Sequence, residues 1–116
     1  MQPVKLNREE IEQGCQGLNL WTLDTSQTSI SKAWTFESFQ AAIAFIVRVS
    51  DIAERHNHHP EFLSIYTKVQ IRLQTHDVDG LTHRDFELAV AIDQLIHSDS
   101  GNLMLAKATT AGKIVS

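Results

Sequence analysis

The sequence predicts an α+β fold: α-β-β-α-β-β-α, with a four-stranded antiparallel sheet covered on one face by helices. Three observations lead there. Phe39, Ala42, Ile43, Ile46, Val49, Ile52 and Ala53 recur at three- and four-residue steps, the period of an amphipathic helix. Residues 67–76 alternate strictly: Val69, Ile71, Leu73 and Thr75 point one way, and Lys68, Gln70, Arg72, Gln74 and His76 the other. Ahead of the long helix, two short strand candidates flank a polar turn, as in a hairpin. Strand pairs separated by a helix favour an antiparallel sheet with helices on one side.

Taken in order, Asn7 is placed to cap a first helix. Glu10 follows three residues on, an asparagine form of the capping box. Glu9 and Glu10 also suit the positive end of the helix dipole. Gly14 and Gly17 weaken this helix, which should stop near Gly17. Residues 20–23 and 29–36 are the first two strands, with 24–27 as the turn. In the central helix Phe45 widens the apolar stripe, and Phe39 and Phe45 are both expected in the core. Pro60 marks the end of that helix, because the residue before proline is pushed out of helical geometry. Residues 62–65 and 67–76 are the third and fourth strands, followed by the turn Asp77-Val-Asp-Gly80. Thr82 caps a last helix, with Asp85 three positions on. Phe86, Leu88, Ala89, Ile92, Leu95 and Ile96 supply its apolar face, and it should fade over residues 97–101.

The chain has 116 residues, 42% of them hydrophobic, which suits one domain with a modest core. We place that domain at residues 1–101 and a tail without a strong pattern at 102–116. The net charge of −4 comes with scattered basic residues, so the electrostatic footprint of a nucleic-acid binder is missing. No apolar run approaches the ~20 residues of a membrane span, and the N-terminus lacks a long apolar signal segment. A cytoplasmic protein is expected. Cys15 is the sole cysteine, so no intramolecular disulfide can form, and in a helix it reads as a small hydrophobe.

Six histidines are many for this length. His56, His58 and His59 sit in the helix-to-strand connection, and His76 ends the fourth strand. Imidazole, with an ordinary pKa of ~6.5, is matched to proton transfer near neutrality. A cluster on a connection held by a rigid scaffold suits a general acid/base site. Rival readings stay open at this level. The cluster can be a solvated polar loop. His58, His59 and His76 with Glu54 or Asp77 could bind zinc, although adjacent histidines rarely reach one ion and no HExxH or cysteine spacing is present. Cys15 is far from the histidines along the chain, no Gly-x-Ser-x-Gly elbow occurs, and glycine-rich phosphate loops are absent.

Glu54-x-x-x-His58-His59-Pro60, then Tyr66, His76 and Asp85, resembles the signature of the pterin-4a-carbinolamine dehydratase family. The resemblance extends to Tyr66-Thr-Lys68-Val69, Thr75-His76-Asp77 and Gly80-Leu81-Thr82, and upstream to Leu20-Trp21, Phe36, Phe39 and Phe45. It covers about residues 7–96. His-His-Pro alone is a weak signal; the whole spaced set is specific.

The resemblance implies dehydration of 4a-hydroxytetrahydropterin to quinonoid dihydropterin, in the recycling of tetrahydropterin after an aromatic amino-acid hydroxylase. It implies no metal and no organic cofactor. Loss of water needs a proton for the departing 4a-hydroxyl and removal of the N5 proton, which imidazoles can do. Residue by residue, His58, His59 and His76 match the family's active-site histidines. His58 and His76 are assigned proton transfer, and His59 binding and orientation of the pterin. Glu54 would orient an imidazole, Pro60 would fix the loop, and Thr75, Asp77 and Val78 would flank the ring. Trp21 would line the pocket or pack in the core. Asp85 would hold a histidine or cap the last helix. His56 and His83 fall outside the signature and are expected to be solvated. A homodimer or homotetramer is expected, pairing sheets or helices. The alternative on the same fold is a non-catalytic binding or assembly protein.

Overall fold

The computed structural model describes residues 3–103 and 105–107, with side chains as far as residue 98. The expected order is present: helices α1 (Arg8–Gln16), α2 (Phe39–His56) and α3 (His83–Leu103), and strands β1 (Thr22–Leu23), β2 (Ile30–Phe36), β3 (Glu61–Ile65) and β4 (Lys68–Leu73). The sheet is antiparallel in the order β1-β2-β4-β3, so the second hairpin docks through β4 onto β2.

Helix α1 begins with the reciprocal capping box that its sequence announces. Glu10 N–H donates to Asn7 Oδ1 and Asn7 N–H to Glu10 Oε1, both at 2.9 Å. It closes on Gly17. Gly14 serves packing, because a Cβ there would sit 2.8 Å from Phe86 Cε1. That bare backbone lets the Phe86 ring of α3 lie against α1.

β1 is shorter than expected, since Leu20 adopts a left-handed φ of 66° incompatible with a strand. The turn beyond it is organised by Asp24. Its carboxylate accepts from the N–H groups of Thr28 (2.8 Å) and Ser29 (3.2 Å) and from the hydroxyls of Thr28 and Ser26. Burial pushes this carboxyl up, but the Thr28 and Ser29 N–H bonds and the serine hydroxyls outweigh it and bring its pKa down to about 2.

Helix α2 starts on Ser38, whose Oγ accepts from Ala41 N–H at 3.0 Å. Ala42, Phe45 and Val49 are fully buried against the sheet. Phe39 corrects the sequence reading: it is 50% exposed, with Ile43 and Val47 open beside it on the same helical side. The apolar arc of α2 is wider than the surface the sheet and α3 cover, and Phe39 lies at its uncovered margin. The helix also ends for a different reason than Pro60. Asn57 adopts a left-handed conformation (φ 51°). Its N–H bonds to Glu54 C=O, and that of His58 to Ala53 C=O, both at 3.1 Å, which makes a Schellman close.

Strand β4 keeps the predicted alternation, with Val69, Ile71 and Leu73 fully buried. It stops at Leu73 rather than His76. Thr75 instead bridges to Gly80, and His76–Val78 forms a single 3-10 turn between them. The β2–β4 register pairs Lys32 with Ile71 and Trp34 with Val69, which places Lys32 on the helix-covered face. Its ammonium is received there by Asp93 Oδ1 (2.9 Å) and Asn19 C=O (3.0 Å), beside the rings of Trp21 and Trp34.

Helix α3 runs to Leu103, past the expected fade at 97–101. Leu105–Lys107 adds a short strand, β5, pairing with Thr35 and Phe36 on the β2 edge that β1 also uses. Regular structure thus crosses the boundary placed at 101/102, while residues 108–116 of the expected tail lie outside the described residues. Among the described residues no helix is long and apolar enough to cross a membrane.

Candidate active site

The site is built where three chain segments meet: the Schellman close of α2, the end of β4, and the first turn of α3. The left-handed Asn57 reverses the chain so that consecutive histidines part company. His58 turns inward and is buried, while the side chain of His59 stays 63% exposed. Pro60, half-buried, then leads the chain into β3. Across from them the Thr75–Gly80 bridge presents His76 to solvent, its side chain 67% exposed.

Beneath His58 lies a fully buried carboxylate, Asp85. Its Oδ1 is 2.6 Å from His58 Nε2. Its Oδ2 accepts from Thr75 Oγ1 (2.8 Å) and from Thr82 N–H (2.9 Å). Thr75 Oγ1 spends its single hydroxyl proton on Asp85. The 2.8 Å contact between the Thr75 and Thr82 hydroxyls therefore runs from Thr82 to Thr75. Thr82 Oγ1 in turn accepts from Arg84 N–H at 3.2 Å. Asp85 thus does both things weighed from sequence: it holds a histidine and closes the capping arrangement of α3.

Above this node is a hollow of about 190 Å³. Five of the residues singled out from sequence line it: His58, His59, Thr75, His76 and Asp77. Three more that sequence reasoning missed join them: Asn57, Gln74 and Arg84. Asn57 was legible, since asparagine just after a helix is the usual stand-in for glycine in a left-handed close. Gln74 follows from the β4 alternation, being on the same side as His76. For Arg84 no sequence signal exists.

The other expected residues sit around the hollow rather than in its lining. Glu54 Oε1 stands 3.6 Å from His59 Nε2, with both side chains largely exposed. Val78 belongs to the 3-10 turn, and its N–H donates to Thr75 C=O at 3.2 Å. Trp21 is elsewhere: its indole N–H donates to Asp93 Oδ2 at 3.0 Å, and its ring meets Trp34 edge-on. β1 and β3 are at opposite ends of the strand order, which separates Trp21 from the histidine loop. His56 and His83 are exposed and do not line the hollow.

Two larger depressions, of about 260 and 370 Å³, lie along α3 and include none of His58, His59 and His76. Their linings carry fewer titratable groups, Asp93 and His97 in one and Arg55 and His56 in the other. Among the described residues no three His, Cys, Asp or Glu side chains are placed to hold a metal ion. Burial raises the pKa of Cys15, which leaves its thiol a poor nucleophile.

Residues 4–95 match the family model described as pterin 4 alpha carbinolamine dehydratase. The chain belongs to that family. Its relatives include two bacterial proteins with the provisional name pterin-4-alpha-carbinolamine dehydratase. The one from Burkholderia lata is 44% identical over 90 residues, covering 78% of this chain and 88% of that protein. The one from Rhizorhabdus wittichii is 43% identical over 90 residues, covering 78% and 93%. Among solved structures, a transcriptional coactivator/pterin dehydratase from Brucella melitensis superposes with a TM-score of 0.75 at 26% identity. That match covers 79% of this chain and 98% of the other. A pterin dehydratase-like protein described as a RuBisCO assembly factor of the alpha-carboxysome shares the fold, with a TM-score of 0.57 at 20% identity, over 66% and 89% of the two chains.

Proposed function

We propose that this protein dehydrates 4a-hydroxytetrahydropterin to quinonoid dihydropterin and water, by general acid/base catalysis from its histidines. The observation that carries the reading is the convergence of His58, His59 and His76 on one hollow, with His58 held from behind by Asp85, in a chain of the dehydratase family. The reaction breaks the C4a–O bond and forms C4a=N5. One group gives a proton to the leaving hydroxyl and another takes the proton from N5, so no net charge accumulates. Two imidazoles about one bicyclic ring meet that need, and such help typically supplies ~10²–10⁴-fold.

The proton-transfer pair in this reading is His58 and His76. With Nε2 of His58 engaged by Asp85, its Nδ1 is the nitrogen that works on substrate. His59, steadied by Glu54, binds and orients the ring, and Asn57, Thr75 and Asp77 supply polar contacts around it. The hollow is smaller than the ~300–1,000 Å³ of most small-molecule sites. It suits the reacting edge of a compact ring whose substituent projects into solvent. The test is dehydration of freshly generated 4a-hydroxytetrahydropterin by purified protein. Acceleration is expected, with its loss in the His58→Ala/His76→Ala double variant. No acceleration over buffer overturns the reading.

A second reading, a binding or assembly role on the same fold, is favoured by one observation: Phe39, Ile43 and Val47 leave an apolar stripe of α2 open. The same stripe supports the expected homo-oligomer. A stoichiometric partner retained by the double histidine variant would support this role beside or instead of catalysis. The functional link to an aromatic amino-acid hydroxylase and the cytoplasmic location belong to the dehydratase reading and stand with it.

A further inference from the structure

His59 and His76 are the two exposed imidazoles of the hollow, and each faces a carboxylate. The two carboxylates are held differently. Glu54 projects from the last turns of α2 and is largely exposed. Glu61 is the first residue of β3, and the β3–β4 register sets it directly opposite Arg72. Arg72 Nη1 donates to Glu61 Oε2. That same oxygen lies 4.0 Å from His76 Nε2.

A guanidinium bound to a carboxylate is directional. Arg72 therefore confines a glutamate side chain that would otherwise sample many rotamers. Both partners stand on paired strands, a firmer base than the loop that carries His76. An exposed ion pair of this kind adds little to stability. Its consequence lies in what the confined carboxylate faces. The 4.0 Å separation is within ion-pairing reach but beyond a hydrogen bond. Contacts around catalytic groups are often this long without substrate and tighten when it binds.

We propose that Glu61, clamped by Arg72, is a positioning residue for His76: it aims the imidazole into the hollow and touches no substrate itself. The proposal rests on the dehydratase reading, in which His76 moves a proton. The test is a set of mutant cycles in the full chain, using Glu61→Gln, Arg72→Gln, their combination, and Glu61→Gln in a His76→Gln background. Glu61→Gln and Arg72→Gln are each expected to lower kcat about tenfold with KM within about twofold, the pattern of a misplaced group. The Glu61→Gln/Arg72→Gln pair falls no further than either single change, because Arg72 acts through Glu61. With His76 already replaced, Glu61→Gln has no additional effect. Urea midpoints equal to wild type separate positioning from loss of fold. Wild-type kcat in Glu61→Gln, or an equal loss in both His76 backgrounds, overturns the proposal. Wild-type protein without activity sinks the dehydratase reading itself, whereas active wild type with an unaffected Glu61→Gln sinks only the role of Glu61.

Discussion

Two carboxylates on α3, Asp85 and Asp93, each join distant parts of the chain, and they do so to different ends. Asp85 receives an imidazole, a hydroxyl and a backbone N–H, tying together the close of α2, the end of β4 and the start of α3. Asp93 receives an ammonium and an indole N–H, tying α3 to β2 and to Trp21 just before β1. The first set includes an imidazole that lines an open hollow. The second is built on an ammonium set beside the rings of Trp21 and Trp34, away from that hollow. What each carboxylate does is decided by the donor it faces, the fully buried Asp85 and the half-buried Asp93 alike. An imidazole makes a site, and a lysine makes a clamp.

The comparison is broken most directly by removing each acid. Asp85→Ala is expected to lower kcat about 10²-fold, toward the loss of one general acid/base group. It also orphans buried donors, so urea unfolding should register a loss of stability as well. Asp93→Ala leaves the Lys32 ammonium with Asn19 C=O but no carboxylate and, allowing for the partial exposure of Asp93, is expected to cost about 2 kcal/mol in urea unfolding, with kcat of the folded fraction unchanged. If Asp93→Ala lowered kcat as far as Asp85→Ala, the distinction between site and clamp would be wrong.

Smaller changes sharpen it. Gly14→Ala pushes a methyl into the Phe86 ring one residue beyond Asp85, and about 1–3 kcal/mol of overpacking is expected. The readout is the unfolding midpoint, again with kcat retained. Replacing the clamp by Lys32→Met with Asp93→Leu should recover most of the stability lost in Asp93→Ala, since exchanging an ion pair withdrawn from water for packed apolar groups is often neutral or stabilising by about 1–4 kcal/mol. The smallest effect concerns a third carboxylate, Asp24, in the β1–β2 turn. Its pKa is lowered to about 2, so it stabilises the fold above the unfolded carboxyl range, near pH 4, and loses that contribution as pH falls through about 2. Allowing for its partial exposure, Asp24→Asn should cost about 1 kcal/mol at pH 7. The difference from wild type should shrink as pH falls through about 2 and vanish below it, as measured by paired unfolding curves.

Much of this was legible in the sequence because it is local. The Asn7–Glu10 box, the stop at Gly17 and the alternation of β4 each depend on residues a few positions apart. Phe39 and Phe45 show where locality fails. Both are aromatic and both fit the helical stripe, but only Phe45 meets the sheet, and the width of the covered surface is a property of how the layers pack. Lys32 shows it again. A lysine in a strand reads as an outward residue until the β2–β4 register turns it inward and Asp93 on a later helix receives it. At the site, His58, His59 and His76 were found from spacing and Gln74 shares the β4 side of His76, whereas Arg84 enters only through the turn of the β4 end against α3.

The sequence by itself determined the order of elements, the antiparallel sheet with helices on one face, the family, and which histidines to inspect. Periodicity, caps and spaced motifs are written along the chain. The tertiary structure alone decided that neighbouring histidines have opposite fates. Asn57 turns His58 in and His59 out. Asp85, 27 residues beyond His58, makes the buried imidazole a held one. Burial, and the partner that compensates for it, arise only when segments far apart in the chain come together.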